Sequence, residues 1–308
     1  MRRLFTPSAL VRLTPAFLLT LLLVAGGCSS SKLPDATPPV APQAPPKDDD
    51  SPYKPFAEVV TDSAAADSGL FVSYLMEDDT KLLYAIPDSV MGREMLLVTR
   101  VSKTADNLAY GGTKFNTQTV RWERKGRNIL LRTVSYSNVA ADSLPIYSAV
   151  RNSNFEPVVA SFGIEAITPD SAGVVIDATK LYTSDVPSLG LPSFTREQYR
   201  VRRLDGSRSF LERVASYPEN IEVRVVLTYD AARPPSQSST GSISVEMAHS
   251  MILLPEEPMT PRLADERVGY FTRTQTDFGR EEQRAEQRSY AIRWRLEPSD
   301  EAAYARGE

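Results

Sequence analysis

The chemistry available to this chain is bounded by two residues that each occur once, His249 and Cys28. A zinc hydrolase needs neutral imidazoles or thiolates to hold the metal and a carboxylate to take the proton from bound water. One histidine and one cysteine, 221 positions apart, do not supply that set, so no zinc site is expected within the chain. A Ser-His-Asp triad would have to use His249, and no Gly-x-Ser-x-Gly turn is present to expose a nucleophile. Tyr110-Gly111-Gly112-Thr113-Lys114 lacks the glycine spacing that cradles phosphates. The acids are numerous, but no pair stands out as the two carboxylates of a glycosidase. The clusters Asp48-Asp49-Asp50 and Glu77-Asp78-Asp79 lack the spaced ligands of a calcium loop and read as solvated turns. No catalytic, cofactor or metal residue is therefore assigned, the chain is expected to be inactive as a peptidase by itself, and His249 reads as a structural residue on a strand.

Cys28 has a different context. Arg2, Arg3 and Arg12 precede the apolar run Ala16–Ala25, which suits a secretory h-region and is too short to span a bilayer. The run closes on Ala25-Gly26-Gly27-Cys28, which resembles the lipobox of bacterial lipoproteins. That resemblance implies removal of residues 1–27, lipidation of Cys28 and attachment to a membrane. Acyl chains contributing ~0.8 kcal/mol per buried methylene anchor a protein stably when more than one is present. Ser29 is not the aspartate that retains some lipoproteins in the inner membrane, so the cell envelope, and the outer membrane within it, is the expected location. A lone cysteine also excludes an intrachain disulfide.

The elements must be reached from that anchor. Residues 28–54 carry seven prolines after Cys28 and read as a semi-stiff tether, up to about 80 Å long at ~3.1 Å per residue. Residues 55–101 suggest a small β unit, with strands at Leu70–Met76, Lys81–Ile86 and Glu94–Val101. It is too short for a substantial core and is expected to pack on the rest of the chain. Residues 102–297 suggest a larger β-rich domain. Its firmest element is a hairpin, Thr119–Arg124 and Ile129–Tyr136, turning on Lys125-Gly126-Arg127-Asn128. Further strands are read at Val158–Ile167, Val174–Ile176, Tyr199–Arg203, Ile221–Tyr229, Ser242–Leu254 and Ser289–Leu296. Trp122 reads as core.

Helix is scarce. Ser209-x-x-Glu212 with Phe210, Leu211 and Val214 has a capping-box pattern that predicts one short helix near 208–216. Glu281–Arg288 has no apolar face and reads as a solvated helix or charged loop. The fold class is mainly β, with antiparallel sheets and hairpins. The net charge is −4 and becomes −7 from Cys28 onward, since the leader holds three arginines and no acid. No basic excess favours nucleic acid.

One stretch resists a packing explanation. In His249–Phe271, prolines recur at 255, 258 and 261, each removing a backbone donor and fixing φ, so neither helix nor central strand can continue. An extended surface belt clipped at both ends into a β core is expected. The segment Leu253–Phe271, with Tyr84–Pro87, Met91–Val98, Val175–Thr179, Ser216–Val223 and Arg293–Pro298, resembles the N-terminal region of bacterial zinc-dependent metalloprotease-like lipoproteins. There, two domains of unknown function precede a metzincin-type catalytic domain. The resemblance implies a non-catalytic region that packs on, docks substrate for, or regulates a catalytic domain not contained in this chain. Zinc would belong to that domain alone, and residues 298–308 would begin the linker to it. An inhibitory ligand from this region would have to be an oxygen, such as that of Asp265 or Glu266. The alternative is a stand-alone surface lipoprotein that binds a protein partner or an envelope polymer.

Overall fold

The computed structural model describes residues 51–76, 79–235, 240–279 and 284–307. Cys28, the leader and residues 28–50 of the tether lie outside the described residues, as do Asp48–Asp50, Glu77 and Asp78. No helix among the described residues is long and apolar enough to cross a membrane.

Fifteen strands are present among the described residues: β1 (Ala65–Ser68), β2 (Val72–Leu75), β3 (Leu82–Pro87), β4 (Glu94–Lys103), β5 (Lys114–Lys125), β6 (Asn128–Val134), β7 (Asn138–Val139), β8 (Val158–Ile167), β9 (Gly173–Asp177), β10 (Val201–Leu204), β11 (Phe210–Tyr217), β12 (Asn220–Ala231), β13 (Ser242–Leu253), β14 (Thr272–Asp277) and β15 (Glu286–Ala291). Five short helices accompany them: α1 (Phe56–Val59), α2 (Ile146–Ser153), α3 (Thr179–Thr183), α4 (Ser193–Tyr199) and α5 (Glu301–Ala305). Twelve strands form one antiparallel sheet in the order β1-β2-β3-β9-β8-β6-β5-β4-β13-β12-β10, with β11 also on β12. β10 and β11 take successive stretches of the same edge of β12. The far side of β11 then meets the first hairpin: Leu70 N–H donates to Tyr217 O (2.6 Å) and Ser216 Oγ to Phe71 O (2.7 Å). The sheet thus nearly closes on itself, which leaves few bare edges.

Alternation decides what fills it. Along β12, Ile221, Val223, Val225, Leu227 and Tyr229 are buried and join one interior cluster with Trp122, Leu131 and Met247. α3 adds Leu181 and Tyr182 to the same cluster. Each such side chain removed from water contributes roughly 1.5–3 kcal/mol. β3 and β9 instead read as unbroken apolar runs because both their faces are covered. Leu83, Ala85 and Val175 point away from the interior cluster and are capped by Val59 and Val60 at the end of α1. The strands of residues 55–101 are interleaved with later ones, β3 on β9 and β4 between β5 and β13, so they share one sheet with the strands that follow.

The hairpin at 125–128 forms as expected, its two-residue loop accommodated by Gly126 at φ 62°. The helix expected near 208–216 does not form, and Phe210–Tyr217 is β11. Ser209 donates to Asp205 O (2.8 Å) and accepts from Thr228 N–H (3.1 Å), so its hydroxyl serves the neighbouring strand rather than a helix cap. Asp205 caps a single turn at 206–208 instead. Of the strand expected at Tyr199–Arg203, residues 201–203 belong to β10, while Tyr199 is the last residue of α4, which ends at Arg200 in the left-handed region (φ 50°). The charged run at 281–288 is not a helix in its described part: Glu286–Arg288 begins β15. The strand read at Ser289–Leu296 keeps regular pairing only to Ala291.

Candidate docking surface

Beyond β13 the prolines act as expected, and the chain from Leu254 to Phe271 has no regular secondary structure apart from one isolated bridge. It is nevertheless tied down. Leu254 N–H donates to Glu94 O (2.9 Å), the Arg93 guanidinium donates to Leu254 O (3.1 Å), and its other nitrogen pairs with Glu256 (2.8 Å). Further along, Ala291 N–H donates to Arg262 O (2.9 Å) and Ala264 N–H to Ser289 O (2.8 Å), around the bridge between Leu263 and Tyr290. The belt therefore lies along the outer edge of β15, and β14 lies on the other edge, followed by β7 in parallel.

Past β15 the arrangement changes for a stereochemical reason. Pro255, Pro258 and Pro261 each lack an N–H, so this part of the belt cannot pair regularly with a neighbouring strand, and side chains reach its carbonyls instead. Arg293 donates to Thr260 O, and Arg295 Nη1 donates to Glu257 O (3.0 Å) while its Nε bonds Glu297. Ile292 N–H donates to Phe271 O (2.8 Å). With the arginines turned onto the belt, the intervening Ile292, Trp294 and Leu296 are left exposed, Trp294 at 89% and Leu296 at 88%. Phe271 is 87% exposed, and Leu263, Val268, Tyr270 and Met259 are exposed as well. Scattered exposed apolar residues are ordinary, but a run of them on neighbouring segments makes this a candidate interaction surface.

Asp265 and Glu266 sit on this belt and line a cleft of about 620 Å³ with Tyr270 and Arg288. Asp265 accepts from Arg267 N–H (3.0 Å), Nε (2.9 Å) and Nη2 (2.5 Å). Those bonds hold its carboxyl at about 2, the Arg267 side chain being the larger cause. Asp265 would have to give up Arg267 before it could serve another cation.

His249 lies elsewhere, 1% exposed inside the sheet. Its Nδ1 is 3.1 Å from Thr99 Oγ1, its cross-strand partner on β4, and its ring packs at 5.4 Å from Tyr182. Nε2 has no hydrogen-bond partner among the described residues. Burial pushes the imidazole pKa down to about 3, so the ring is neutral. Tyr182 in turn shares a hydrogen bond with Tyr84 (2.9 Å), and burial raises both phenols. Among the described residues no group of three or more His, Cys, Asp or Glu converges as metal ligands would.

Sequence reasoning picks out the belt and the run Arg293–Pro298 but misses the division of labour within that run. The signal is present as strict alternation of Ile292, Trp294 and Leu296 with Arg293, Arg295 and Glu297.

Against known families, the one described as Domain of unknown function (DUF5117) matches residues 112–299, and Domain of unknown function (DUF5118) matches residues 53–104. No curated protein and no solved structure matches the chain.

Proposed function

The chain belongs to the DUF5117 family, and from that premise we propose that it is the exported, lipid-anchored, non-catalytic N-terminal region of a zinc-metalloprotease-like lipoprotein, whose belt and adjoining tail dock a catalytic domain. The observation that carries the reading is the exposed row Ile292, Trp294 and Leu296 with Phe271, beside Arg293 and Arg295, which bond the belt carbonyls. A covering domain removes that apolar area from water at about 25 cal/mol per Å². The resemblance in Leu253–Phe271 and Arg293–Pro298 supplies the occupant, a metzincin-type domain later in the same polypeptide. In this reading Cys28 and the proline-rich tether hold the assembly at the outer membrane, and zinc is held by the catalytic domain.

Amide exchange tests it, with residues 254–296 followed in the chain alone and in the polypeptide that includes the catalytic domain. The proposal expects slower exchange there when the domain is present, and faster exchange again with Phe271→Ala and Trp294→Ala. Equal exchange in the two proteins, or a coding sequence with no such domain, overturns it in favour of a stand-alone lipoprotein.

A further inference from the structure

A second cleft, of about 710 Å³, lies on the outer face of the sheet. Register builds its floor: Glu94 on β4 stands opposite Arg121 on β5, and Arg121 opposite Arg132 on β6, so the three side chains form one row across three strands. α2 and the residues after it form a wall, contributing Tyr147, Arg151, Phe155 and Glu156, and Tyr136 and Asn138 line the approach to β7.

Every ionic group in this cleft already has a partner. Arg121 bonds Glu156, Arg132 Nε bonds Glu123 (2.6 Å), Tyr136 donates its phenol proton to Glu94, and Arg151 Nη1 donates to Tyr147 Oη (3.3 Å). Partial burial, reinforced by the Glu94 bond, pushes the Tyr136 phenol above its ordinary value, which keeps that proton in place. Three arginines face three glutamates, so the cleft has no formal net charge. The pairing leaves both N–H donors and carboxylate acceptor sites unused, and hydroxyl groups, which donate as well as accept, can engage the two together. A guanidinium has five N–H donors and a carboxylate about four acceptor sites, of which one pair engages only a few.

Aromatic surface completes the arrangement. The Arg132 side chain, 8% exposed as a residue, sits 5.1 Å from the Phe155 ring centre. Arg132 is itself held by Glu123 and by Glu156 O (2.8 Å), so one face of Phe155 rests on a fixed support. Phe155 is nonetheless 76% exposed as a residue, and Tyr136, which lines the same cleft, is 46% exposed. A flat apolar face of this kind suits the C–H face of a pyranose ring, while balanced donors and acceptors suit its equatorial hydroxyls.

We propose that this cleft binds a strand of a neutral oligosaccharide, with one sugar ring on Phe155 and hydroxyls hydrogen-bonded to the Glu94–Arg121–Arg132 row. The cleft size is within the range of small-ligand sites, and the absence of net charge argues against a polyanion. The site does not depend on docking of a catalytic domain at the belt.

Calorimetric titration of the purified chain with chitohexaose, cellohexaose and maltohexaose, and with a heparin hexasaccharide for comparison, tests it. A neutral hexasaccharide is expected to bind in the millimolar range or tighter, with little dependence on salt. Phe155→Ala and Phe155→Leu should each weaken binding about tenfold or more, Phe155→Trp should preserve it, and Trp294→Ala should leave it unchanged. Because Phe155 is mostly exposed, these variants keep the fold. No binding of any neutral probe at millimolar concentration, binding indifferent to Phe155→Ala, or salt-sensitive binding of heparin alone overturns the proposal.

Discussion

Replacing His249 with phenylalanine should make the protein less sensitive to acid, and the size of the effect follows from its burial. In the unfolded chain the imidazole titrates near 6.5, and in the folded chain burial holds it at about 3. The folded pKa is depressed, so the penalty is absent above pH 6.5 and grows as pH falls, because only the unfolded state takes up the proton. Between those values the wild type loses about 1.4 kcal/mol of stability per pH unit from this group alone. At about pH 4.5 that amounts to roughly 3 kcal/mol. Phenylalanine keeps a flat ring against Tyr182 but does not titrate. It also leaves Thr99 Oγ1 without its 3.1 Å partner, which costs about 1–3 kcal/mol at every pH. The absolute stability of the variant is therefore lower near neutrality, and the informative quantity is the change with pH. Urea denaturation of both proteins at about pH 7.5 and about pH 4.5 provides it, since carboxylate titration is common to the two and cancels. The wild type should lose roughly 3 kcal/mol more than His249→Phe across that interval. Equal losses would mean that the imidazole is protonated in the folded state or reached by water, and the reasoning from burial would fail.

Gly69→Ala should destabilise by about 2 kcal/mol or more, because an added Cβ would lie 2.5 Å from Tyr217 N and O where the sheet closes; an unchanged denaturation midpoint would refute the closure as described. Arg293→Ala with Arg295→Ala should change global stability by less than about 1 kcal/mol yet speed amide exchange at Glu257–Leu263, and unaltered exchange would show that the guanidinium bonds do not hold the belt. Cys28→Ser should move the protein from the membrane fraction to the soluble fraction, and persistent membrane retention without lipid on the N-terminal peptide would count against lipidation there. The purified chain should cleave no unfolded protein substrate in a zinc-dependent manner, a result that chelator-sensitive cleavage would reverse.

The β architecture was legible because alternation and turn chemistry are local. Val120 and Trp122 against Ile129 and Leu131, joined through Gly126, specify a hairpin with an inner and an outer face wherever it sits. The prolines at 255, 258 and 261 end β13 by stereochemistry alone, so a belt there needed no tertiary information. The single histidine and single cysteine likewise bounded the chemistry before any fold was known.

Other features depend on which segments meet. Ser209–Val214 has a helix start signal as good as many real ones, but the free edge of β12 offered seven paired residues, and burial of Leu211 and Ala215 against the sheet outweighed a single cap. The row of Glu94, Arg121 and Arg132 spans 39 positions of sequence and exists only because β4, β5 and β6 pair in one register. Whether Arg293 and Arg295 face solvent or the belt is not written in their own alternation, which fixes only that they share a face. Their direction is set by the belt carbonyls, whose prolines provide no competing donors, and that choice leaves Trp294 and Leu296 exposed. His249 was marked by its rarity, but its neutral state comes from the apolar interior that twelve strands wrap around it.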